Sequence, residues 1–350
     1  MPTIPEREIL LATHLAFDFT REAWLEFAKI MGSDPDPFRA RAFNVWRTLG
    51  APGPASRADA LGLSARMRAK RLCFLDEDFP GVLRELPEGP PVIYYYGELP
   101  PPPDSLVAVV GTRRPSAFGT AVTRELTGFL AGQGLGIASG LARGIDAIAH
   151  ARALAARAYT LAVMGAGLDR IYPSEHVELA RDLLEAGGTL LSQFPPGAVP
   201  HPSHFPRRNR VIAALSAGTM VVEGSRKSGA LITGRAALEQ GRVAVAFVQD
   251  FRGDFGKGAI ELIHEGAYPA SGYADALRAI SLPHGGKLRP ARARDSRSEF
   301  SLFEFQNTHG LGLKEAIQAI EKLRASGTVE SDAEGRYRWR GQEGNHSMTR

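Results

Sequence analysis

Short apolar runs alternate with amphipathic segments through the middle of the chain. The apolar runs predict six buried strands, at Val107–Val110, Gly136–Ser139, Thr160–Met164, Thr189–Phe194, Thr219–Glu223 and Val243–Val248. The segments between them have helical spacing and predict helices near residues 120–131, 144–157, 174–186, 208–217 and 230–240. Because strands that alternate with helices pair in parallel, the pattern predicts an α/β fold with a doubly wound parallel sheet of Rossmann type.

Smaller units are predicted on the N-terminal side of this sheet and just after it. Residues 1–70 contain three amphipathic stretches separated by prolines, which predicts a small helical domain. In the segment that leads into the sheet, Val92–Tyr96 is a candidate strand. After the last strand, Gly258–Gly266 and Tyr273–Ile280 are predicted helices, so the sheet domain with its lead-in covers residues 71–281.

The composition changes after residue 281. Residues 282–298 are rich in glycine, proline, serine and cations, which predicts a flexible basic linker. Over residues 299–340 the chain shows two predicted helices and a hairpin, at Phe300–Phe305, Leu313–Leu323, Thr328–Glu330 and Arg336–Arg340. A helix–turn–helix followed by a hairpin is the outline of a winged helix. Residues 341–350 are predicted to form a disordered tail.

Composition and charge narrow the function classes. A hydrophobic content of 44% and a charged content of 23% are typical of a soluble globular protein. The net charge of +4 and the pI of about 9.3 favour a polyanionic partner. The single cysteine, Cys73, excludes an intramolecular disulfide and argues against a cysteine metal site. No apolar run approaches the ~18 residues of a membrane helix and no signal peptide is evident, so we expect a cytoplasmic protein without a membrane partner.

Five loops that follow predicted strands carry glycine together with arginine or lysine. In a parallel sheet these loops meet at the carboxyl edge, where glycine lets backbone N–H groups approach phosphates and helix N-termini add partial positive charge. The candidate nucleic-acid-binding residues in these loops are Gly111, Thr112, Arg113, Arg114, Gly140, Arg143, Gly144, Gly167, Lys227, Ser228 and Gly229. The alternative is a solvated rim on which Asp146, Asp169 and Glu223 pair with some of the arginines.

The segment Pro195–Arg210 is too long for a plain connection between a strand and a helix, which indicates a functional loop. Its end carries one aromatic residue among polar and cationic ones: Phe205, Arg207, Arg208, Asn209 and Arg210. Single-stranded nucleic acid is bound in this way, because bases stack on the ring while phosphates meet the arginines. The alternative is that Phe205 and Pro206 fill the core before the next helix.

Patterns of common enzymes are absent from the sequence. It contains no P-loop, no strict GxGxxG and no nucleophile elbow, and we expect no cofactor. Asp146 and His150 lie four apart on one predicted helix, and His201 and His204 lie close in sequence, but neither pair has the third ligand that a metal site requires.

Four segments, SGLARGIDAIAH (139–150), MGAGLDRIYP (164–173), HFPRRNRVIAALS (204–216) and SGALIT (228–233), closely resemble the DNA-processing protein A family (DprA, also called Smf). The resemblance covers residues 70–270 and implies an extended Rossmann fold that binds and protects incoming single-stranded DNA, dimerises and delivers the RecA recombinase during natural transformation. It also implies an N-terminal helical SAM-like domain and a C-terminal winged helix, which agrees with the patterns at both ends.

Carried over by motif, the resemblance assigns Gly111, Thr112, Arg113, Arg143, Phe205 and Arg207–Arg210 to the DNA pocket. The chain departs from the family where His201–His204 replaces a segment that often contains lysine, at Gln193, where glutamate is commoner, and at Phe247–Asp250, where VPG is usual. The resemblance also puts the dimer contact in Gly258–Gly266, with Ile260, Ile263 and His264 as candidates. The alternative is that both apolar faces of that helix are buried within one subunit.

The sequence therefore predicts a non-catalytic recombination mediator whose partners are single-stranded DNA, RecA and a second copy of the chain. Duplex DNA is a second candidate nucleic acid, through the winged helix and the basic linker. One alternative is a nucleotide-processing Rossmann enzyme of phosphoribohydrolase type; it requires a PGGxGT-like loop with a catalytic acid, whereas VVEGSRKSGALIT offers only Glu223. Another alternative is a dimeric adaptor whose winged helix binds duplex DNA or protein.

Overall fold

The computed structural model describes residues 69–86, 88–248, 252–291, 299–300, 313–326, 329–331 and 337–339. The predicted N-terminal helical domain, up to residue 68, and the predicted tail over 341–350 lie outside these ranges. Within them the chain forms a nine-stranded sheet flanked by helices and a separate three-stranded sheet near the C-terminus. No described helix is long and apolar enough to cross a membrane.

The strands of the large sheet are β1 Lys70–Cys73, β2 Val92–Tyr96, β3 Leu106–Val110, β4 Gly136–Ser139, β5 Thr160–Met164, β6 Thr189–Ser192, β7 Gly218–Val221, β8 Val243–Ala246 and β9 Tyr268–Pro269. The helices around it are α1 Gly81–Glu85, α2 Ala117–Gly132, α3 Ile145–Ala155, α4 Val177–Glu185, α5 His204–Ala214, α6 Gly229–Glu239, α7 Asp254–His264 and α8 Tyr273–Ser281. All six predicted parallel strands and all the predicted helices of this region are present, with ends that differ by a few residues.

The sheet order is β1-β2-β6-β5-β4-β3-β7-β8-β9, with β3 between β4 and β7. Strands β3 to β9 pair in parallel, whereas β1 and β2 are antiparallel and β2 joins β6 in the antiparallel sense. The predicted parallel sheet is therefore a mixed sheet with an antiparallel hairpin at one edge, an arrangement common on large parallel sheets. The chain passes to the other side of β3 between β6 and β7, so the topological switch point lies between β3 and β7.

Strand β3 shows why the central apolar runs are continuous. Val107 and Val109 pack with α2, α3 and α8 on one face, while Ala108 and Val110 pack with α5 and α6 on the other. A strand covered on both faces requires apolar side chains at every position.

Helix α5 begins at His204 rather than near residue 208, so Phe205 and Arg207 are helical. Pro206 does not break this helix, because a proline in the first turn removes only an N–H that has no partner within the helix. The loop after β6 therefore ends at Ser203, and the side chains of Phe205 to Arg210 are distributed around a helix.

The first part of the predicted linker packs against the sheet domain. The Ala291 N–H donates to the Gly134 carbonyl at 2.9 Å, and the Arg289 guanidinium pairs with Asp104 at 2.9 Å. Leu288 packs against the core cluster that contains α2 and α8. Residues 282–291 thus do not form the predicted flexible linker. Asp104 neutralises Arg289, and Leu288 fixes the segment to the core. Residues 292–298 lie outside the description.

The small sheet consists of β10 Glu299–Phe300, β11 Val329–Ser331 and β12 Tyr337–Trp339, and the helix α9 Leu313–Ala325 precedes its hairpin. The predicted helix at Leu313 and the predicted hairpin are confirmed. The helix predicted from Phe300 is wrong at its start, because Phe300 pairs with Tyr337 of β12. Pairing with a strand some forty residues away overrides the local helical spacing.

Candidate nucleic-acid interface

The loops that follow β3, β4, β5, β6 and β7 meet at the carboxyl edge of the sheet. Backbone hydrogen bonds join them: Thr112 N–H donates to the Glu223 carbonyl at 2.8 Å, and Ile145 N–H donates to the Thr112 carbonyl at 3.2 Å. The loops after β5 and β6 are joined by Gly167 N–H, which donates to the Ala198 carbonyl at 2.9 Å. The two groups meet where the His176 ring nitrogen lies 2.8 Å from the Leu141 carbonyl, so the five loops form one connected rim.

Several of the predicted glycines serve the packing of these loops. Gly144 has a φ of +75°, and a Cβ there would collide with the Thr112 carbonyl. A side chain at Gly111 would overlap Ile145, one at Gly140 would overlap the Arg208 guanidinium, and one at Gly167 would lie 2.5 Å from the Pro195 carbonyl. Contact between loops is thus enough to explain these glycines, whatever the rim binds.

Phe205 lies half-buried at the centre of the rim, with its ring against Gly165. The guanidinium carbon of Arg113 is 5.2 Å from the ring centroid, and that of Arg208 is 5.7 Å from it. The ring of Tyr172 is 6.1 Å away, centroid to centroid. We call these four residues the Phe205 cluster. Phe205 therefore packs against the backbone at Gly165 and is still open enough to contact a ligand.

Arg208 belongs to the core of this cluster rather than to its surface. Its side chain is buried, at 4% exposure, and Nη1 donates to the Gly140 carbonyl at 2.5 Å and to the Val163 carbonyl at 2.9 Å. Burial lowers the pKa of Arg208 to about 10, and the carboxylate of Asp146 opposes that shift. Burial also raises the pKa of Asp146, although Arg208 and the N–H groups of Gly140 and Ala142 favour its charged form. The predicted DNA contact at Arg208 is thus a buried structural arginine.

The two residues after Arg208 turn away from the Phe205 ring. The amide of Asn209 donates to the Gly229 carbonyl at 3.1 Å and so holds the start of α6 beside α5. Arg210 pairs with Glu239, at the far end of α6, at 2.8 Å and lies 3.9 Å from Glu88. Arg210 therefore does not join the cluster, since its position on the helix directs it toward the opposite edge of the sheet.

Four exposed cations of the rim form no ion pair with a described residue: Arg113, Arg114, Arg170 and Lys227. Arg226, next to Lys227, is also exposed but pairs with Glu261 at 3.3 Å. The Arg207 guanidinium lies 5.1 Å from the centroid of the Phe194 ring. Arg143 is exposed but holds Glu175 through two hydrogen bonds, of 2.5 and 2.6 Å. That contact raises the pKa of Arg143 and lowers the pKa of Glu175. Arg170 and Tyr172 were not selected from the sequence.

Polar side chains shape the turns of the rim. Thr112 Oγ1 accepts from the Arg114 N–H at 3.2 Å, which holds the first loop in a tight turn. Ser228 caps α6 and accepts from the Ala230 N–H at 3.2 Å, next to the exposed Lys227. Both loops therefore present their cations from a fixed backbone.

The three acids proposed to neutralise the rim have other partners. Asp169 accepts from the Gly197 N–H at 2.9 Å. Glu223 is buried at 3% exposure and accepts from the N–H of Ser116 at 2.9 Å and from its hydroxyl, at the N-terminus of α2. Only Asp146 faces an arginine, Arg208, so these acids leave the exposed cations unneutralised.

Three histidines considered from the sequence, His150, His201 and His204, have partners within the protein. His150 is buried with Nδ1 2.7 Å from the Thr160 hydroxyl, and burial lowers its pKa to about 3. His204 stacks on Phe194 with ring centroids 4.0 Å apart, and His201 meets His204 edge-on at 5.7 Å. Within the part of the chain that the structure describes, no three His, Cys, Asp or Glu side chains converge as a metal ion would require.

The predicted dimer residues lie on the last turns of α7. Leu262 is buried against α6, and Ile263 is partly buried against the same core. Ile260 is half-buried and His264 is exposed. On the neighbouring side of α7, Arg235 of α6 forms ion pairs with Glu261 and Glu265, both at 2.7 Å. Ile263 thus contacts the core and is also partly exposed. Together with Ile260 and His264 it forms the candidate dimer surface of α7.

Comparisons with known proteins agree with this architecture. The chain is 42% identical over 191 residues to Protein Smf of Escherichia coli and 39% identical over 192 residues to DNA processing protein DprA of Bacillus subtilis. These matches cover 55% of this chain and 51% and 64% of the two relatives, so the chain matches only part of each relative's length.

Two solved structures are similar in fold. DNA processing protein A of Streptococcus pneumoniae aligns with a TM-score of 0.64 at 30% identity, over 79% of this chain and 98% of that one. A structure describing the single-stranded DNA binding mode of the Helicobacter pylori protein aligns with a TM-score of 0.53 at 26% identity, over 63% of this chain and 98% of that one.

A family model described as DNA recombination-mediator protein A matches residues 70–281, which is the nine-stranded sheet with its helices. Because this range exceeds half of the sequence, the chain belongs to the DNA recombination-mediator protein A family, whose relatives carry the names DprA and Smf.

Proposed function

We propose that this protein is a non-catalytic recombination mediator that binds single-stranded DNA along the rim. The observation that carries the proposal is the Phe205 ring beside Arg113, on a rim where four exposed cations have no ion pair with a described residue. A nucleobase stacks on such a ring regardless of its identity, while the cations meet successive phosphates. The Helicobacter pylori relative, whose structure is described by its single-stranded DNA binding mode, supports the same assignment.

The rival enzyme requires a free acid at the switch point. Glu223 is the acid there, but it is buried and its carboxylate already holds the N–H and hydroxyl of Ser116. A carboxylate in this position has no room to contact a ribose or a water, which counts against a phosphoribohydrolase.

The test is a titration of the full chain with fluorescent oligothymidylate and with duplex of equal length across a range of salt. Single strands should bind more tightly, and the logarithm of affinity should fall with log salt at about −0.7 per phosphate neutralised. Arg113→Ala should weaken binding and flatten the slope by under one unit, whereas Phe205→Ala should weaken it by about 1–3 kcal/mol at an unchanged slope. Arg210→Ala is the matched control, because Arg210 pairs with Glu239. A flat salt profile or a strong sequence preference would refute the proposal.

The rest of the proposal concerns partners. We infer that the protein acts in the cytoplasm as a homodimer through Ile260, Ile263 and His264 and loads RecA on DNA taken up in natural transformation. Residues 299–340 are proposed as a winged helix, to which the order β10, α9, β11, β12 is suited, with duplex DNA as its candidate partner. Light scattering of Ile263→Glu tests the dimer: a folded variant that stays dimeric moves the interface elsewhere. A RecA-dependent strand-exchange assay tests the loading.

A further inference from the structure

Tyr172 is an exposed aromatic residue that the proposed function does not use. It lies in the loop after β5 and is 40% exposed. Its ring centroid is 6.1 Å from that of Phe205, and the two rings are tilted by 48°. An aromatic side chain left this exposed beside a second aromatic has an apolar surface that a planar ligand can cover.

One arginine lies near Tyr172 in space, and another lies near it in sequence. Arg170, two residues earlier, is exposed and forms no ion pair with a described residue. Arg143 is close enough for its charge to interact with Tyr172, and Glu175 holds its guanidinium. The rim thus has a second exposed aromatic ring beside Phe205, with the charge of Arg143 close to it and the exposed Arg170 two residues earlier in the chain.

We infer that Tyr172 is a second base-stacking residue, so that a single strand runs from the Phe205 ring across the β5 loop toward Arg170. This inference rests on the proposed function and adds a path for the strand. Two successive bases would each occupy one ring, with their phosphates turned toward Arg113 and Arg170. The site then holds a dinucleotide step rather than one nucleotide.

The distance between the rings leads us to expect that such a site excludes duplex DNA. Bases in a duplex strand are separated by about 3.4 Å along the axis and are parallel. Rings 6.1 Å apart and tilted by 48° match neither the spacing nor the orientation. Only an unpaired strand whose bases have separated can place one base on each ring, since opening a duplex to that extent costs its stacking and pairing energy.

The main experiment compares Tyr172→Ala and Tyr172→Phe with the unmodified protein, using oligothymidylate at several salt concentrations. Tyr172→Ala should weaken binding about 5- to 150-fold with the salt slope unchanged, because stacking releases no counterions. Tyr172→Phe should restore binding to within about twofold, since it keeps the ring. Arg170→Ala is the matched comparison and should instead flatten the slope.

A second measurement on the unmodified protein covers the case in which Tyr172→Ala fails to fold. Oligothymidylate carrying 5-iodouracil cross-links to stacked aromatic side chains under ultraviolet light, and peptide mapping should find adducts at both Tyr172 and Phe205. Adducts at Phe205 alone, or a folded Tyr172→Ala with unchanged affinity, would overturn the inference and leave the proposed function standing. If neither Phe205→Ala nor Tyr172→Ala alters binding and no adduct forms, the proposed function itself fails.

Discussion

Replacing Arg208 with methionine should destabilise the fold far more than it changes any DNA contact. Arg208 is buried at 4% exposure, and its guanidinium donates to two carbonyl groups. Its charge also favours the ionised form of the buried Asp146 carboxylate. Methionine fills much of the volume but supplies no donor. The Gly140 and Val163 carbonyls then lose a donor, and Asp146 loses its compensating charge.

The expected loss can be worked from these contacts. Leaving a buried carboxylate without its compensating cation costs about 3–5 kcal/mol, and each carbonyl left without its donor costs about 1–3 kcal/mol. The contributions overlap because one group makes all the contacts, so we expect about 3–5 kcal/mol in total. For a domain of this size the melting temperature should fall by about 2–4 °C per kcal/mol, or roughly 6–20 °C.

Thermal and urea unfolding of the full chain are the assays, with Arg113→Met as the matched control. Arg113 lies at the same ring but is exposed and has no ion pair with a described residue, so its replacement should change stability by less than about 0.5 kcal/mol. Adding Asp146→Asn to Arg208→Met should recover part of the loss, because it removes the uncompensated carboxylate.

The loss of stability caused by Arg208→Met should also depend on pH. Burial already raises the pKa of Asp146, and removal of the cation raises it further. A carboxyl whose folded-state pKa lies above its unfolded value stabilises the fold at low pH and loses that contribution as pH rises through the folded pKa. The loss in free energy of unfolding should therefore be smaller at pH 5 than at pH 8. A variant that melts like the unmodified protein but no longer binds single-stranded DNA would refute the structural role of Arg208.

Two further changes have clear expectations. Glu175→Gln should free Arg143 from its ion pair, raise the affinity for oligothymidylate by up to about fivefold and steepen the salt slope by under one unit. The control is Glu178→Gln, which removes one of the two acidic partners of Arg181. Acidification should destabilise the protein through His150, because its folded-state pKa of about 3 lies below its unfolded value. The contribution of His150 to the free energy of unfolding is full above pH 6.5 and should fall by about 2 kcal/mol by pH 5. In urea titrations His150→Gln should remove this pH dependence. If the variant keeps it, the role of His150 is contradicted.

Most of the sheet could be predicted because its strands are buried on both faces. Such strands are continuous apolar runs between glycines, and Gly136–Ser139 and Thr160–Met164 match the structure at both ends. The antiparallel edge could not be predicted in the same way. Its pairing of β2 with β6 joins residues nearly one hundred positions apart, and nothing local in Val92–Tyr96 specifies the direction of a neighbour.

The location of the rim could be predicted from the sequence, but the role of each arginine in it could not. Loops after parallel strands must meet at one edge, which follows from topology alone. The burial of Arg208 and the direction of Arg210 depend on where α5 starts, and the helix begins at His204, four residues before the predicted start near 208. The pairing of Arg143 with Glu175 spans 32 positions, so no local pattern could have indicated it.

The arrangement of charges at this edge favours a polymer over a mononucleotide. In nucleotide-binding Rossmann folds the phosphate lies at the N-terminus of the helix after the first strand, next to the switch point. Here that position belongs to Glu223, whose carboxylate accepts from Ser116 N–H and approaches Gly119 so closely that a Cβ would collide with it. An anionic ligand would have to displace a buried carboxylate of the same chain, at the cost of leaving that charge unpaired. The exposed cations lie instead on the turns around this point, where they can meet phosphates that are spaced along a strand.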